Sequence, residues 1–413
     1  MRKVYWTLLT FLLAALAAGP VSASGIARDE QGAAAAGQAG AFAARADDPS
    51  AIYYNPAGIV QLDGTRLMVG ANGYIRTLSL GQGSHGSPEM EENFLFTPEI
   101  YFTHKATGRL SFGVGLFDPF AQQVSWQRDW PGRFISRESR FRVHEVNPTI
   151  AFKMGDWSIA AGGSWLRGDM TFKRNLDFSA IGAPQGLEKL TGDASDWRGN
   201  AGIRYGGKKF QWGLTWRSSA TLQFDNADVS FDNVPANANA LLCGGQTCYA
   251  GQNASVELKL PQTVSTGFAI GLKKWKLELD AVRTDWKKAF DRFVVDYGKN
   301  STVLTDQTLV LDWKDTWSWK FGAALPVKEV YELRAGIAFD ENPVPDATAG
   351  PIFPEGERLS VQAGYGYAAP SGRFRYDAYA RWADQGSQRS TVAPIGTYDG
   401  NEVSVGLSGT WIF

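Results

Sequence analysis

From Thr65 to the last residue, apolar and polar side chains alternate with a period of two, and few folds tolerate so long a run of that pattern. Phe210, Trp212, Leu214 and Trp216 alternate with Gln211, Gly213, Thr215 and Arg217; Tyr331, Leu333, Ala335, Ile337 and Phe339 alternate with Glu332, Arg334, Gly336 and Ala338. Successive side chains of a strand point to opposite faces, so each run carries one apolar and one polar face. Fourteen stretches read this way: 65–80, 95–105, 110–117, 143–153, 157–174, 196–206, 210–224, 255–272, 275–295, 312–325, 331–340, 359–369, 373–382 and 402–413. Their connections are alternately short (105–109, 155–156, 206–209, 273–274, 326–330, 370–372) and long (81–94, 118–142, 175–195, 225–254, 296–311, 341–358, 383–401). An even number of strands with tight turns at one end and long loops at the other predicts an all-β, antiparallel transmembrane barrel. A soluble sandwich or secreted barrel shares the period but turns its apolar face inward. Trp157, Trp212, Trp275, Trp313, Tyr331, Trp382 and Trp411, near strand ends, read as interfacial girdles and favour the membrane.

The amino terminus fits export. Met1-Arg2-Lys3 precedes an uncharged stretch over 4–19, and Val21-Ser22-Ala23 supplies small residues for cleavage before Ser24, so 1–23 is expected to be a signal peptide. No later stretch is apolar for long enough to form a spanning helix. A net charge of -1 gives no basis for nucleic-acid binding. The two cysteines, Cys243 and Cys248, are expected to bridge and pinch a loop; with no histidine nearby they do not suggest a metal site. His85, His104 and His144 belong to no recognisable catalytic motif, so no catalytic residue, metal or cofactor is expected, although a Ser–His pair formed in space would escape this reading.

Two places break the alternation. Residues 24–64 are built mostly of small side chains and end in Asp47-Asp48-Pro49-Ser50-Ala51-Ile52-Tyr53-Tyr54-Asn55-Pro56-Ala57-Gly58, whose prolines prevent one regular element. This is the one stretch left outside the strands, and is expected to plug the barrel (65–413), a flexible linker being the alternative; Asp29-Glu30-Gln31 ahead of Ala33–Ala36 suits a short helix. In the third strand Leu110, Phe112, Val114 and Leu116 face out and Ser111, Gly113 and Gly115 face in, until Phe117-Asp118-Pro119-Phe120 ends the pattern. Proline donates nothing to a ladder, so Gly113, Gly115, Asp118 and Pro119 mark either the strand's outer end or a gap in the wall; Pro148 is a competing site for a break.

The Asp47–Gly58 stretch resembles the plug motif of the FadL-type long-chain fatty acid transporters, a family with a toluene/xylene branch. Asp118-Pro119-Phe120, Asp129-Trp130-Pro131-Gly132-Arg133, Asn147-Pro148, Asp312-Trp313-Lys314-Asp315-Thr316-Trp317, Asp340-Glu341-Asn342-Pro343 and Phe353-Pro354-Glu355-Gly356 are similar to it as well, and so is the aromatic end at Trp411 and Phe413 to that of outer-membrane barrels. The resemblance implies fourteen strands in the outer membrane of a Gram-negative bacterium and an N-terminal hatch, with Asn55-Pro56-Ala57 close to a kink in the third strand. It implies passive uptake of a hydrophobic small molecule through an apolar pocket and out sideways at the kink. Phe117, Phe120 and Trp126 are then candidate contacts, and Arg128, Arg133, Arg137 and Lys173 are available to a carboxylate. Long-chain fatty acid is the expected cargo, with a monoaromatic or alkane hydrocarbon channel, a general porin or adhesion barrel, and a lipid-modifying enzyme as alternatives. Lipid, lipopolysaccharide and the barrel-assembly machinery are the other expected partners of a monomer.

Overall fold

The structure, a computed structural model, describes residues 25–82, 87–91, 93–245, 247–298 and 304–413. The expected signal peptide and His85 lie outside these. Among the described residues the wall consists of β1 (Thr65–Gly81), β2 (Asn93–Lys105), β3 (Leu110–Ser125), β4 (Glu138–Met154), β5 (Trp157–Leu176), β6 (Gly186–Gly206), β7 (Phe210–Arg217), β8 (Ala220–Asp232), β9 (Gln252–Leu260), β10 (Thr263–Leu272), β11 (Trp275–Thr284), β12 (Arg292–Tyr297), β13 (Gln307–Val310), β14 (Thr316–Val327), β15 (Tyr331–Asp340), β16 (Arg358–Ala368), β17 (Phe374–Ser390) and β18 (Gly396–Ile412). Four staves are each interrupted once, as β7/β8, β9/β10, β11/β12 and β13/β14, so these segments make fourteen staves. Every neighbour is antiparallel, and β1 pairs with β18 from Arg66↔Ile412 to Gly81↔Thr397, which closes the barrel.

The faces are arranged for an apolar exterior. On β18, Val403, Val405 and Leu407 are exposed, whereas Glu402, Ser404, Ser408 and Thr410 are buried toward the lumen. Beyond the lipid-facing band several strands run on with the pattern reversed. On β4, Glu145, Asn147 and Thr149 point inward at one level and Phe141 and Val143 at the next. On β6, Arg198 and Asn200 give way to Ala194 and Leu190. These inner faces, with Leu222, Phe224, Val256, Leu258, Trp286 and Phe290, pack into an apolar core above a polar lumen. The reversal follows from the surroundings: outside the lipid the outer face meets water, so apolar side chains turn inward.

One aromatic of the expected girdle is elsewhere. Trp313 is only 1 % exposed and stacks on Phe290 at 4.4 Å, because the chain leaves the wall between β13 and β14 and turns inward, its amide donating to Phe290 O at 3.1 Å. Trp157, Trp275, Trp382 and Trp411 are exposed, and Trp212 and Tyr331 half-buried.

Residues 25–62 are almost wholly buried and pack on the inner faces of the staves. They form helical turns at Ala33–Ala36 and Ala51–Tyr54 and a 3-10 turn at Pro56–Gln61. Small side chains let backbones touch: a Cβ on Gly37 would stand 2.8 Å from Gly364 Cα.

Candidate functional site

The N-terminal segment presents backbone amides as well as side chains to the wall, and carboxylates of the wall accept the amides. Glu99 accepts from Gly32 N at 2.8 and 3.0 Å; Asp280 from Phe42 N at 2.8 Å and Ala43 N at 2.9 Å; Glu278 from Ala44 N at 2.6 Å and Arg45 N at 3.2 Å. Arg204 Nε donates to Ala44 O at 2.6 Å. Ion pairs add to this, with Arg28 on Glu402 at 2.8 Å and Lys320 on Asp29 at 2.6 Å. Burial pushes the Asp29 carboxyl up, but the Lys320 ammonium outweighs it and holds Asp29 below the usual carboxylate range. Asp48 has no such cation in contact, and burial raises it.

Asn55 is fully buried. Its Nδ2 donates to Ala43 O at 2.8 Å and Ile203 O at 3.1 Å, and its Oδ1 accepts from Ala57 N at 3.1 Å, while Ala57 O accepts from Ser158 Oγ at 2.8 Å. Asn55-Pro56-Ala57 is therefore hydrogen-bonded to β5 and β6, where Gly202 leaves room for Asn55 and Pro56, while Ala57 shares an apolar cluster with Phe117 of the third strand. Ile52 meets the glycines of that strand. A Cβ on Gly113 would stand 2.8 Å from Ile52 Cδ1, and one on Gly115 would stand 3.1 Å from Ile52 Cγ2, so the space left by the glycines is occupied. The reason is rotation along the Ala51–Tyr54 turn, which sends Ile52 and Asn55 to different walls.

The third strand does not end at Phe117. It continues to Ser125, with a register shift against β4 between Phe117 and Phe120. Against β2 it pairs only from Lys105↔Ser111 to Ile100↔Leu116, and above that level the two strands part. β3 sinks inward there: residues 117–122 are buried, Arg28 N donates to Pro119 O at 2.9 Å and Ala121 N to Ile26 O at 3.2 Å. The strands are joined again higher up, where Glu91 N donates to Ser125 O at 2.8 Å. The upper half of β2 is thus a free edge within the wall, and Pro98, which has no amide to donate, lies in it. Pro148 breaks nothing comparable, since β4 and β5 resume the same register after it, Val146↔Trp165 and Thr149↔Gly162.

A cavity of ≈ 80 Å³ lies beside the sunken strand, lined by Tyr53, Tyr54, Pro119, Phe120, Trp317, Arg198, Arg217 and Lys320 among others. Arg198 and Arg217 both bond Glu145. Above it a second recess, ≈ 70 Å³, is lined by Ile135, Phe172, Leu190, Phe293, Leu309 and Ile352, with Lys173 and Arg174 at its edge.

Of the candidate contacts, Phe120 lines the cavity. Phe117 packs behind it, between Tyr53 and Tyr101. Trp126 does not reach it: it stacks on Trp130 at 4.3 Å and donates to Pro351 O at 3.3 Å in a cluster with Leu78, Leu80 and Tyr398. Arg128 is exposed; Arg133 and Arg137 are engaged by loop backbone, donating to Trp130 O at 3.1 Å and Trp126 O at 3.4 Å; Lys173 pairs with Glu138 at 2.6 Å. Sequence reading missed Arg198 and Arg217, whose only signal was a cation on an inward-facing position, and Trp286 and Phe290, spaced as on one face of a helical turn. His104 bonds Thr65 and His144 bonds Asp118; no cluster of metal-ligating groups occurs among the described residues. Cys243 and Cys248 are bonded, with Cα atoms 6.1 Å apart.

Comparison with known proteins agrees with this fold. A family model described as outer membrane protein transport protein (OMPP1/FadL/TodX) matches residues 14–395. An outer membrane protein of Neisseria meningitidis serogroup B is 28 % identical over 408 residues, covering 86 % of this chain and 84 % of that one. A long-chain fatty acid transport protein of Escherichia coli O6:H1 is 23 % identical over 355 residues, 78 % of each. Among solved structures, a Pseudomonas aeruginosa FadL homologue superposes with a TM-score of 0.80 at 18 % identity, over 94 % of this chain and 100 % of that one. The Ralstonia pickettii toluene transporter TbuX gives 0.70 at 15 %, over 92 % and 98 %.

Proposed function

The chain belongs to the OMPP1/FadL/TodX family of outer membrane transport proteins, and from that premise we propose that its cargo is a long-chain fatty acid, taken up passively. The family carries hydrophobic compounds across the outer membrane of Gram-negative bacteria, and both a fatty acid transporter and a toluene transporter are among the similar proteins. One observation favours the acid. The apolar core that holds Phe141, Leu222, Phe224 and Trp286 reaches, at Phe120, a cavity bearing Arg198 and Arg217, two guanidiniums that share the one carboxylate of Glu145. Apolar side chains that end at an excess of positive charge suit an amphiphile with an acyl tail and a carboxylate better than a molecule with no charge.

In this reading the cargo collects at the upper recess, moves in among the apolar side chains of the core and gains about 0.8 kcal/mol per buried CH₂. The cavity at ≈ 80 Å³ is smaller than the ~150 Å³ that holds a benzene, so passage requires movement of the surrounding groups. Residues 24–64 act as the hatch, Tyr53 and Tyr54 forming part of the cavity floor, and the parting of β2 and β3 serves as a lateral exit into the leaflet. A downhill path into lipid needs no energy source.

The test compares a deletion strain with its complemented parent for uptake of labelled oleate and labelled toluene. Loss of oleate uptake alone, restored by the gene and indifferent to a protonophore, is expected. Loss of toluene uptake with oleate unaffected would overturn the proposal in favour of the monoaromatic reading.

A further inference from the structure

Where β3 sinks, a side chain of the next strand crosses the parting in its place. Phe141 and Val143 point into the apolar core, so Arg142 between them points outward, and its Nη2 donates to Phe96 O on β2 at 3.0 Å. Phe94 and Phe96 beside it are exposed on the lipid-facing surface. The other side-chain link over this stretch among the described residues is Gln123 Nε2 to Asn93 Oδ1 at 3.1 Å, at the upper rim. Beneath Arg142 lies Asp118, from the kink. Its Oδ1 is bonded to His144 Nδ1 at 2.6 Å, while its Oδ2 is buried without a hydrogen-bond partner, 3.8 Å from Arg142 Nε, which also has none. His144 in turn has Asp169 3.7 Å from its Nε2.

We propose that Arg142 is a strut across the parting with two resting places, and that it receives the carboxylate end of a departing amphiphile. In one place it bonds Phe96 O and bars the way. In the other the guanidinium draws down onto Asp118 Oδ2, closing the present 3.8 Å ion pair into a hydrogen bond, and its release of Phe96 O frees the edge of β2. The exchange is feasible because neither buried atom is satisfied in the first place, so the second recovers a bond that the first forgoes. A cargo carrying a carboxylate presents a third partner to the same guanidinium and lifts it from Phe96; an uncharged cargo does not. Arg142 thereby discriminates between cargoes at the exit. This rests on the reading of the parting as a lateral exit.

The experiment uses the full-length protein with Arg142→Met and Arg142→Lys. Spin labels at Phe94→Cys and Arg140→Cys, both outward-facing and on either side of the parting, report its width in nanodiscs with the native cysteines replaced. Uptake of oleate and toluene is measured in cells, with heat-modifiable migration confirming a folded barrel. Arg142→Met is expected to broaden the label distance and to lower the oleate-to-toluene rate ratio about tenfold, the scale of one charge-assisted hydrogen bond; Arg142→Lys recovers part of both. A ratio equal to wild type, or a distance distribution as narrow as wild type's, overturns the proposal. If wild type carries neither cargo, the transport reading falls, and the label distance alone decides whether Arg142 is a strut.

Discussion

Substituting Gly213 with alanine is expected to unseat part of the N-terminal segment without disturbing the wall. Gly213 lies on β7 opposite the Phe42–Arg45 backbone, and its own backbone conformation accepts alanine. An added Cβ overlaps the carbonyl oxygen of Ala43 and stands 2.6 Å from its carbon and 2.8 Å from Asn55 Nδ2. These are main-chain and anchored atoms, so nothing flexible can yield. Overpacking by one methyl in such a place costs about 1–3 kcal/mol, which raises the open fraction of the local segment by about 5- to 150-fold. Hydrogen exchange reads this directly, because the Phe42, Ala43, Ala44 and Arg45 amides are held by Asp280 and Glu278. Gly163→Ala is the control, since that glycine is exposed with no atom within 4 Å of the new Cβ. Unchanged protection of Phe42–Arg45 in Gly213→Ala, or equal loss in Gly163→Ala, would refute the close-packing argument.

Other outcomes follow from the same contacts. Asp280→Ala leaves two buried amides without an acceptor, at about 1–3 kcal/mol each, and exchange at Phe42 and Ala43 should accelerate more than at Gly32. Asp29 is held below its ordinary value by Lys320, so its contribution is complete above about pH 4 and is lost as pH falls through the depressed value; protection near Asp29 should fall on acidification, and less so in Asp29→Asn. Asp48 is raised by burial, so its ionised form works against seating at neutral pH, and Asp48→Asn should increase protection there while wild type and variant converge in acid. Replacing Cys243 and Cys248 with serine should loosen the loop cluster around Phe178, Tyr249 and Leu304 and leave the melting of the barrel unchanged, a point calorimetry decides.

The number of staves and the position of every tight turn were legible because a wall between lipid and polar lumen imposes one phase on every strand. The upper ends were not. Stretches such as 138–142, 186–195 and 396–401 fall where the outer face meets water and the phase reverses, so a search for apolar side chains on one continuous face stops short of them. Trp313 was placed in a girdle for a related reason: nearby Trp317 on β14 does face outward, but Trp313 lies in the break between β13 and β14. Of the site, Pro119 and the glycines announced an irregular third strand, yet their spacing said nothing of where the chain goes. The inward course of β3 is set by hydrogen bonds to Ile26 and Arg28, some ninety residues earlier, and no local pattern records a partner at that distance. Arg142 and Arg198 were illegible for the same cause: each looks like any charged strand residue until its neighbour across the wall is known.

The grip of Glu99, Asp280 and Glu278 on main-chain amides has a consequence for how interchangeable the N-terminal segment is. A socket that holds peptide N–H groups does not register the side chains of Ala43 and Ala44, provided they stay small where the walls come close. The side chains of Arg28, Asp29 and Asn55, which reach Glu402, Lys320 and Ile203 O, carry the rest, so the instructions for seating are shared between barrel and segment. A segment altered elsewhere but of equal bulk, transplanted onto this chain, should find the same berth, whereas one stripped of Arg28, Asp29 and Asn55, or joined to a barrel without those three carboxylates, should not.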